Sequence, residues 1–147
     1  MEKFDVLVIG SGSGMIIASA AVNQGFKTAV VERGPMGGTC LNRGCVPSKM
    51  LIYPADIAVI IQEAAKLGVK ASVTSIDFQG IMERMRRLIT GDATAQARAV
   101  ENTPNLKWFR DTGEFISDYT MKVGEHIITA EKIFIVSGAR PGIPPIK

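Results

Sequence analysis

The chain has 147 residues, with 17 Lys and Arg against 14 Asp and Glu, one His and two Cys. That length suits one domain burying roughly 70% of its unfolded surface, and 46% apolar with 21% charged residues excludes a disordered chain. A net charge of +3, with no basic run interleaved with aromatics, gives no footprint for nucleic acid.

Phe4 to Ile9 is an apolar, β-branched run ending at Gly10 and reads as a buried strand. Gly10-Ser11-Gly12-Ser13-Gly14 follows as a glycine loop, then Met15 to Gln24 as an Ala- and Ile-rich helix stopped by Gly25. Lys27 to Glu32 is a second strand, completing a βαβ pattern. Arg33 to Pro47 reads as a loop carrying both cysteines. Lys49 to Leu67 reads as a helix broken or kinked by Pro54.

Ser75 is placed to cap a long helix from about Asp77 to Asn102, closed by Thr103-Pro104-Asn105. Phe78, Ile81, Met82, Met85, Leu88 and Ile89 share its apolar face, and Arg84, Arg86 and Arg87 its solvated one. Beyond Asn105 the pattern changes to period two. Leu106 to Arg110, Glu114 to Ser117, Thr120 to Val123 and His126 to Thr129 are short strands, with Gly124-Glu125 a tight hairpin turn. Lys132 to Val136 is another buried strand, and Ala139 to Lys147, with three prolines, an extended connector.

The expected fold class is therefore α/β: a Rossmann-type parallel sheet with helices on both faces, plus an antiparallel β-meander covering one side. The longest uninterrupted apolar runs, Val6 to Ile9 and Ile57 to Ile61, fall far short of a bilayer span. The N-terminus enters a strand at once, without signal-peptide architecture, and two cysteines do not make a secreted disulfide framework. A cytoplasmic location and no membrane partner are expected.

A glycine loop between strand and helix serves a mechanical purpose. Gly10 makes the tight turn, and Gly12 lets the backbone approach a pyrophosphate held at the helix N-terminus. Glu32, twenty positions after Gly12 at the end of the second strand, can bond the hydroxyls of an adenosine ribose and repels a 2′-phosphate. Met15 stands where a third glycine is usual. Gly14 comes one residue early and can serve the close helix–strand packing instead.

Cys40 and Cys45 are five positions apart. On a regular helix that step rises about 7.5 Å, whereas a disulfide needs Cα atoms within about 7 Å. A bridge therefore requires distorted backbone, which Gly44 permits, and would be readily reduced. An unpaired couple or half a zinc site are the other readings, although His126 is the single further N or S ligand outside methionine. No metal site is expected.

Gly37-Gly38-Thr39-Cys40-Leu41-Asn42-Arg43-Gly44-Cys45-Val46-Pro47-Ser48-Lys49 closely resembles the redox-active segment of the pyridine nucleotide-disulfide oxidoreductases. This is the flavoprotein family of dihydrolipoamide dehydrogenase, glutathione reductase and mercuric reductase. The resemblance extends to the glycine loop, to Glu32 and to Val136-Ser137-Gly138-Ala139-Arg140-Pro141, which is similar to the family's second flavin motif. Gly113 matches a glycine at the adenine end of the cofactor. Leu41 and Ser48 are closer to dihydrolipoamide dehydrogenase than to glutathione reductase.

The resemblance implies electron passage between NAD(P)H, FAD and a Cys40–Cys45 disulfide, with Cys45 the flavin-side thiol and Cys40 the interchange thiol. Lys49 is implied beside the flavin, its charge favouring the thiolate. The implied FAD contacts are Gly10, Gly12, Ser13, Gly14, Glu32, Arg33, Gly38, Thr39, Cys40, Lys49, Gly113, Ser137 and Gly138. The expected substrate is a small dithiol or disulfide such as lipoamide. Mercuric, glutathione-like or coenzyme A-disulfide reduction is the nearest alternative, followed by a non-catalytic FAD- or partner-binding module and then a thiol–disulfide exchanger without flavin.

Residues 1–147 are expected to form the N-terminal segment of the FAD-binding domain, with the family's NAD(P) and dimer-interface domains absent. The chain alone is then expected not to turn over nicotinamide. A homodimer is expected of the full-length family. His126, in its hairpin, reads as a surface imidazole, Trp108 and the methionines as core filling, and Arg43 as either a tuner of the thiols or a solvated charge.

Overall fold

The computed structural model describes residues 1–140 and 142–146. Pro141, in the expected second flavin motif, and Lys147, at the end of the expected connector, lie outside the described residues. Strands β1 (Glu2–Ile9), β2 (Thr28–Val31), β3 (Leu106–Phe109), β4 (Gly113–Ser117), β5 (Thr120–Val123) and β6 (His126–Ile135) form one sheet ordered β3-β2-β1-β6-β5-β4. The first four in that order are parallel, and β4, β5 and β6 form the antiparallel meander.

The two strands expected from His126 onward are one. Its first part, His126 to Thr129, pairs with β5 on one side, while Ile128 to Ile135 pair with β1 on the other, so the β1 ladder spans the junction between the two expected strands. The sheet also curls. His126 and Phe109 have ring centroids 5.3 Å apart, although β2 and β1 separate their strands, which in a flat sheet would hold them about 14 Å apart.

The curl brings Met121, Val123 and Ile128 of the meander against Leu7, Val31 and Phe109, closing one face. On the other face Val6, Val8 and Val30 pack against Ala18 and Ala21 of helix α1 (Gly14–Asn23), with Leu106 beside them. Helix α4 (Phe78–Glu101) lies beside α1, across a shared cleft. The α/β class is as expected, but α1 and α4 gather on one face because the meander supplies the apolar cover of the other.

Two further expectations need correcting. The segment read as a loop, Arg33 to Pro47, holds helix α2 (Gly38–Arg43) and the start of helix α3 (Cys45–Glu63), separated by Gly44 alone, and the rest of α3 lies where a helix was expected. A Cβ on Gly44 would lie 3.0 Å from the Thr39 carbonyl oxygen and 3.4 Å from the Cys40 Cα, so the glycine admits the close turn between them. Asp77, not Ser75, caps α4, its carboxylate accepting the Gly80 N–H at 2.9 Å.

Pro54 sits inside α3 without ending it. Its missing N–H deprives the Met50 carbonyl of a helical partner, and the Arg84 guanidinium of α4 donates to that carbonyl at 3.5 Å. Arg84 is thus more than a solvated charge. Ala64–Leu67 continues α3 as a 3-10 turn. Residues 38–67 together are long and apolar enough to cross a membrane by length and composition, with mean hydropathy 1.4 over an 18-residue window. The sequence reading, which counted only uninterrupted apolar runs, did not register this. The stretch is interrupted at Gly44 and carries Lys49 and Asp56, and Ile52, Tyr53 and Ile60 stand exposed on it.

The Arg84 contact predicts a specific thermodynamic pattern. Arg84→Ala should lower unfolding free energy by about 0.5–1.5 kcal/mol, against less than about 0.5 for Arg86→Ala. In a Pro54→Ala background, where the helical N–H is restored, the Arg84 effect should vanish in urea titrations.

Candidate active site

The glycine loop is shaped by what presses on it. Gly10 has φ +107°, and a Cβ there would collide with the Val136 carbonyl and approach the Ser137 Cα at 3.2 Å. The end of β6, with Ser137 and Gly138, is thereby seated against the loop after β1, and Val136 N–H donates to the Ile9 carbonyl at 2.8 Å. Gly14 is buried, and a Cβ there would stand 2.7 Å from Val8 Cγ1. Gly14 therefore performs the close helix–strand packing, and Met15 packs at the margin of the core.

Helix α1 opens at Gly14 with Ser13 as its N-cap residue, whose exposed side chain makes no capping bond, and its first turn holds no acidic residue. The free amides and the dipole there favour an anion. Glu32 follows β2 directly. Its Oε2 accepts the Ser11 N–H at 3.1 Å and the Ser11 hydroxyl at 3.0 Å, and its Oε1 accepts the Gly34 N–H at 2.7 Å. Trp108 donates its indole N–H to the Glu32 carbonyl at 3.0 Å. Arg33, next in the chain, is exposed.

The second glycine pair joins the thiols to this loop. Gly37 and Gly38 have φ of +102° and +60°, and a Cβ on Gly38 would lie 2.5 Å from the Gly12 Cα. Backbone meets backbone at that point, and α2 begins. Asn42 ties the turn down, its amide donating to the Met36 and Gly38 carbonyls at 2.9 Å each. Thr39 and Cys40 follow on α2, both exposed.

Cys40 and Cys45 are unbonded, exposed thiols close enough to hydrogen-bond each other. That bond splits their acidities. Donating it raises the Cys40 pKa above the ordinary thiol value, and accepting it lowers that of Cys45. The Lys49 ammonium, one turn into α3, favours both thiolates. Arg43 is exposed and is not among the charges acting on either thiol.

Gly113 and His126 lie apart from the glycine loop. A Cβ on Gly113, at the start of β4, would collide with Met121 Sδ, so core packing explains this glycine. Gly138 has φ +74° and open space around it. His126 faces Glu2 at 3.4 Å, at the end of β1 away from the glycine loop. Ser11 and Asn42 have no individual role in the sequence reading, and Trp108, expected as core filling, is only half-buried and bonds the Glu32 carbonyl instead. Asn42 is a fixed position of the cysteine motif, whereas nothing in the spacing distinguishes Ser11 or Trp108.

A dinucleotide cradle joined backbone to backbone with a helix pair bearing two thiols of opposed acidity defines a flavoprotein disulfide oxidoreductase. The chain belongs to the pyridine nucleotide-disulphide oxidoreductase family, whose model matches residues 4–147. It is 33% identical over 152 residues to mycothione reductase of Mycobacterium tuberculosis, covering 99% of this chain and 33% of that protein. It is 34% identical over 151 residues to dihydrolipoyl dehydrogenase of Chlamydia muridarum, covering 97% and 32%. Among solved structures, the Cu(II) complex of the HOCl-induced flavoprotein disulfide reductase RclA from Escherichia coli matches with TM-score 0.82 and 27% identity, covering 99% of this chain and 31% of that one. The chain spans about a third of the length of these relatives.

FAD is the cofactor of this family, and the residues fit it. At the Gly12–Gly38 contact the loop presents bare backbone, α1 offers an uncompensated N-terminus, and Glu32 is an acceptor beside the loop. A cleft of about 910 Å³ between α1 and α4 opens at Ser11, Gly12, Met36 and Gly37.

The acidity split sets a pH dependence. Cys45, with its lowered pKa, should be alkylated by iodoacetamide at pH values where an ordinary thiol is still protonated, and Cys40 only at higher pH. Cys40→Ala removes the donor and should shift the Cys45 rate profile to higher pH, with a several-fold loss of rate at neutral pH. Gly38→Ala, which forces a side chain into a left-handed conformation against Gly12, should cost about 1–3 kcal/mol or more of stability and weaken FAD retention, read by thermal unfolding and flavin absorbance.

Proposed function

We infer that the chain is the FAD-contacting, dithiol-bearing portion of an enzyme that exchanges electrons between a nicotinamide and a small dithiol or disulfide, dihydrolipoamide first among them. The observation that carries this reading is the close backbone contact of Gly38 with Gly12, which sets the two exposed thiols, Cys40 on α2 and Cys45 at the start of α3, beside the glycine cradle. FAD, when bound, supplies the two-electron carrier between nicotinamide and the thiols. The residue types at Leu41 and Ser48, closer to dihydrolipoamide dehydrogenase than to glutathione reductase, support the dihydrolipoamide choice; the identities, 34% to a dihydrolipoyl dehydrogenase and 33% to mycothione and mercuric reductases, do not separate the substrates.

In the disulfide state, one thiolate of the substrate attacks Cys40 Sγ. The Cys40–Cys45 bond breaks, and Cys45 leaves as a thiolate whose charge the Lys49 ammonium favours. The second substrate thiolate then attacks the substrate sulfur held on Cys40, closing the substrate disulfide. Cys40 leaves and takes up a proton, in keeping with its raised pKa. Two substrate thiols are oxidised and one protein disulfide is reduced. Lys49 holds the Cys45 charge meanwhile.

Soft-metal reduction is the second reading, favoured by the exposed thiol pair and by 33% identity to mercuric reductase of Staphylococcus aureus. The reading carries a cytoplasmic setting, where dithiols stay reduced, a homodimer for the full-length enzyme, and no nucleic-acid or membrane partner.

The test begins with the absorption spectrum of the pure chain after adding FAD and desalting, where a retained flavin band is expected. Dithionite titration should then raise a long-wavelength shoulder that Cys45→Ser abolishes. For the substrate, the oxidised chain should be reduced at least about tenfold faster by dihydrolipoamide than by dithiothreitol, a factor of about 1.4 kcal/mol. Equal rates would sink the dihydrolipoamide assignment.

A further inference from the structure

We propose that Ser11 is a positioning residue for cofactor recognition, fixing one oxygen of the Glu32 carboxylate so that the other is presented to the ribose of the dinucleotide. The inference rests on the FAD-binding reading of the site and concerns a residue to which neither the glycine spacing nor the cysteine motif gives a role.

Ser11 is 1% exposed, yet both its donors point to the same atom. Its N–H and its hydroxyl reach Glu32 Oε2 at 3.1 and 3.0 Å. A serine that merely satisfies itself turns back on local backbone, as Ser48 does at 2.7 Å to the Gly44 carbonyl. Ser11 instead spans 21 positions, from the loop after β1 to the end of β2. A carboxylate oxygen has about two acceptor positions. With Oε2 filled, and Oε1 holding only the Gly34 N–H, the remaining acceptor capacity lies on Oε1.

The backbone of Glu32 is held as firmly as its head. Its N–H donates to the Phe109 carbonyl at 3.1 Å, and its own carbonyl accepts the Trp108 indole N–H at 3.0 Å. The long, flexible glutamate is thereby fixed along its length. Ser11 supplies the only side-chain donor to the carboxylate among the described residues. A ribose hydroxyl then meets an acceptor that need not be ordered on binding, which is where preorganisation contributes to affinity.

Trp108 is the single tryptophan of the chain, and its place behind Glu32 makes its fluorescence a reporter of the site. FAD binding to the full chain is titrated by Trp108 quenching for wild type, Ser11→Ala, Glu32→Ala and the double variant. Ser11→Ala should weaken FAD about tenfold, and should weaken it by less than about twofold once Glu32 is already Ala. With ADP and 2′,3′-dideoxy-ADP as competitors, the loss should fall on ADP, the nucleotide that has ribose hydroxyls. In the ligand-free chain, Ser11→Ala should speed hydrogen exchange at the Gly34 amide several-fold, because the carboxylate that accepts it is released.

Failure of the wild-type chain to bind FAD overturns the cofactor reading and the proposal together. Wild-type binding with an unchanged Ser11→Ala overturns the proposal alone. So do losses that multiply in the double variant, equal losses for the two competitors, or an unchanged Gly34 exchange rate.

Discussion

The site depends on the contact between two stretches of bare backbone. Gly38 approaches Gly12 so closely that a Cβ on Gly38 would lie 2.5 Å from the Gly12 Cα. That contact fixes where α2 starts, and α2 carries Cys40. Gly44 then admits a second close turn, so that α3 begins with Cys45. The thiols are placed relative to the dinucleotide loop by main-chain packing, without a side chain bridging the two. A site assembled in this way tolerates little displacement, because close-packed backbone has no rotamers with which to adjust.

The thiols themselves are electrostatically unequal although both are exposed. One hydrogen bond raises Cys40 and lowers Cys45, while Lys49 acts on both in the same direction. The acid at the other end of the cradle is treated comparably: Glu32 receives donors from Ser11 and Gly34 before any ligand arrives.

The sequence made the chemistry more legible than the shape. Gly10, Gly12, Glu32 and the Gly37–Lys49 motif are read from fixed spacings, and the structure brings Gly12 and Gly38 together. What escaped depended on partners distant in the chain. The Cys40 and Cys45 segment reads as a loop because short helices beside glycines carry a weak periodic signal, and Pro54, expected to break or kink its helix, lies inside α3 with the Arg84 guanidinium reaching the carbonyl it leaves without a helical partner. The single strand β6 looked like two because its two edges have different neighbours. Gly14 was identified as the packing glycine, and Val8 supplies the reason. Ser11 and Trp108 had no pattern to betray them, since each acts through Glu32 alone.

The strand order has a consequence for how the chain comes to be folded. β1 lies between β2 and β6, and Glu2 to Ile9 pair with Ile128 to Ile135. The central strand is thus made first, while one of its two neighbours is made more than a hundred residues later. During synthesis β1 can join α1 and β2 early, but the backbone groups of its other edge stay unpaired, in a strand carrying Val6, Leu7 and Val8, until β6 emerges. Such a topology has high contact order and folds slowly, and an apolar edge left waiting invites pairing with another nascent chain. The interval between making β1 and making β6 is therefore when this protein is most exposed to misassembly, and when a chaperone holding the N-terminal strand would do the most good.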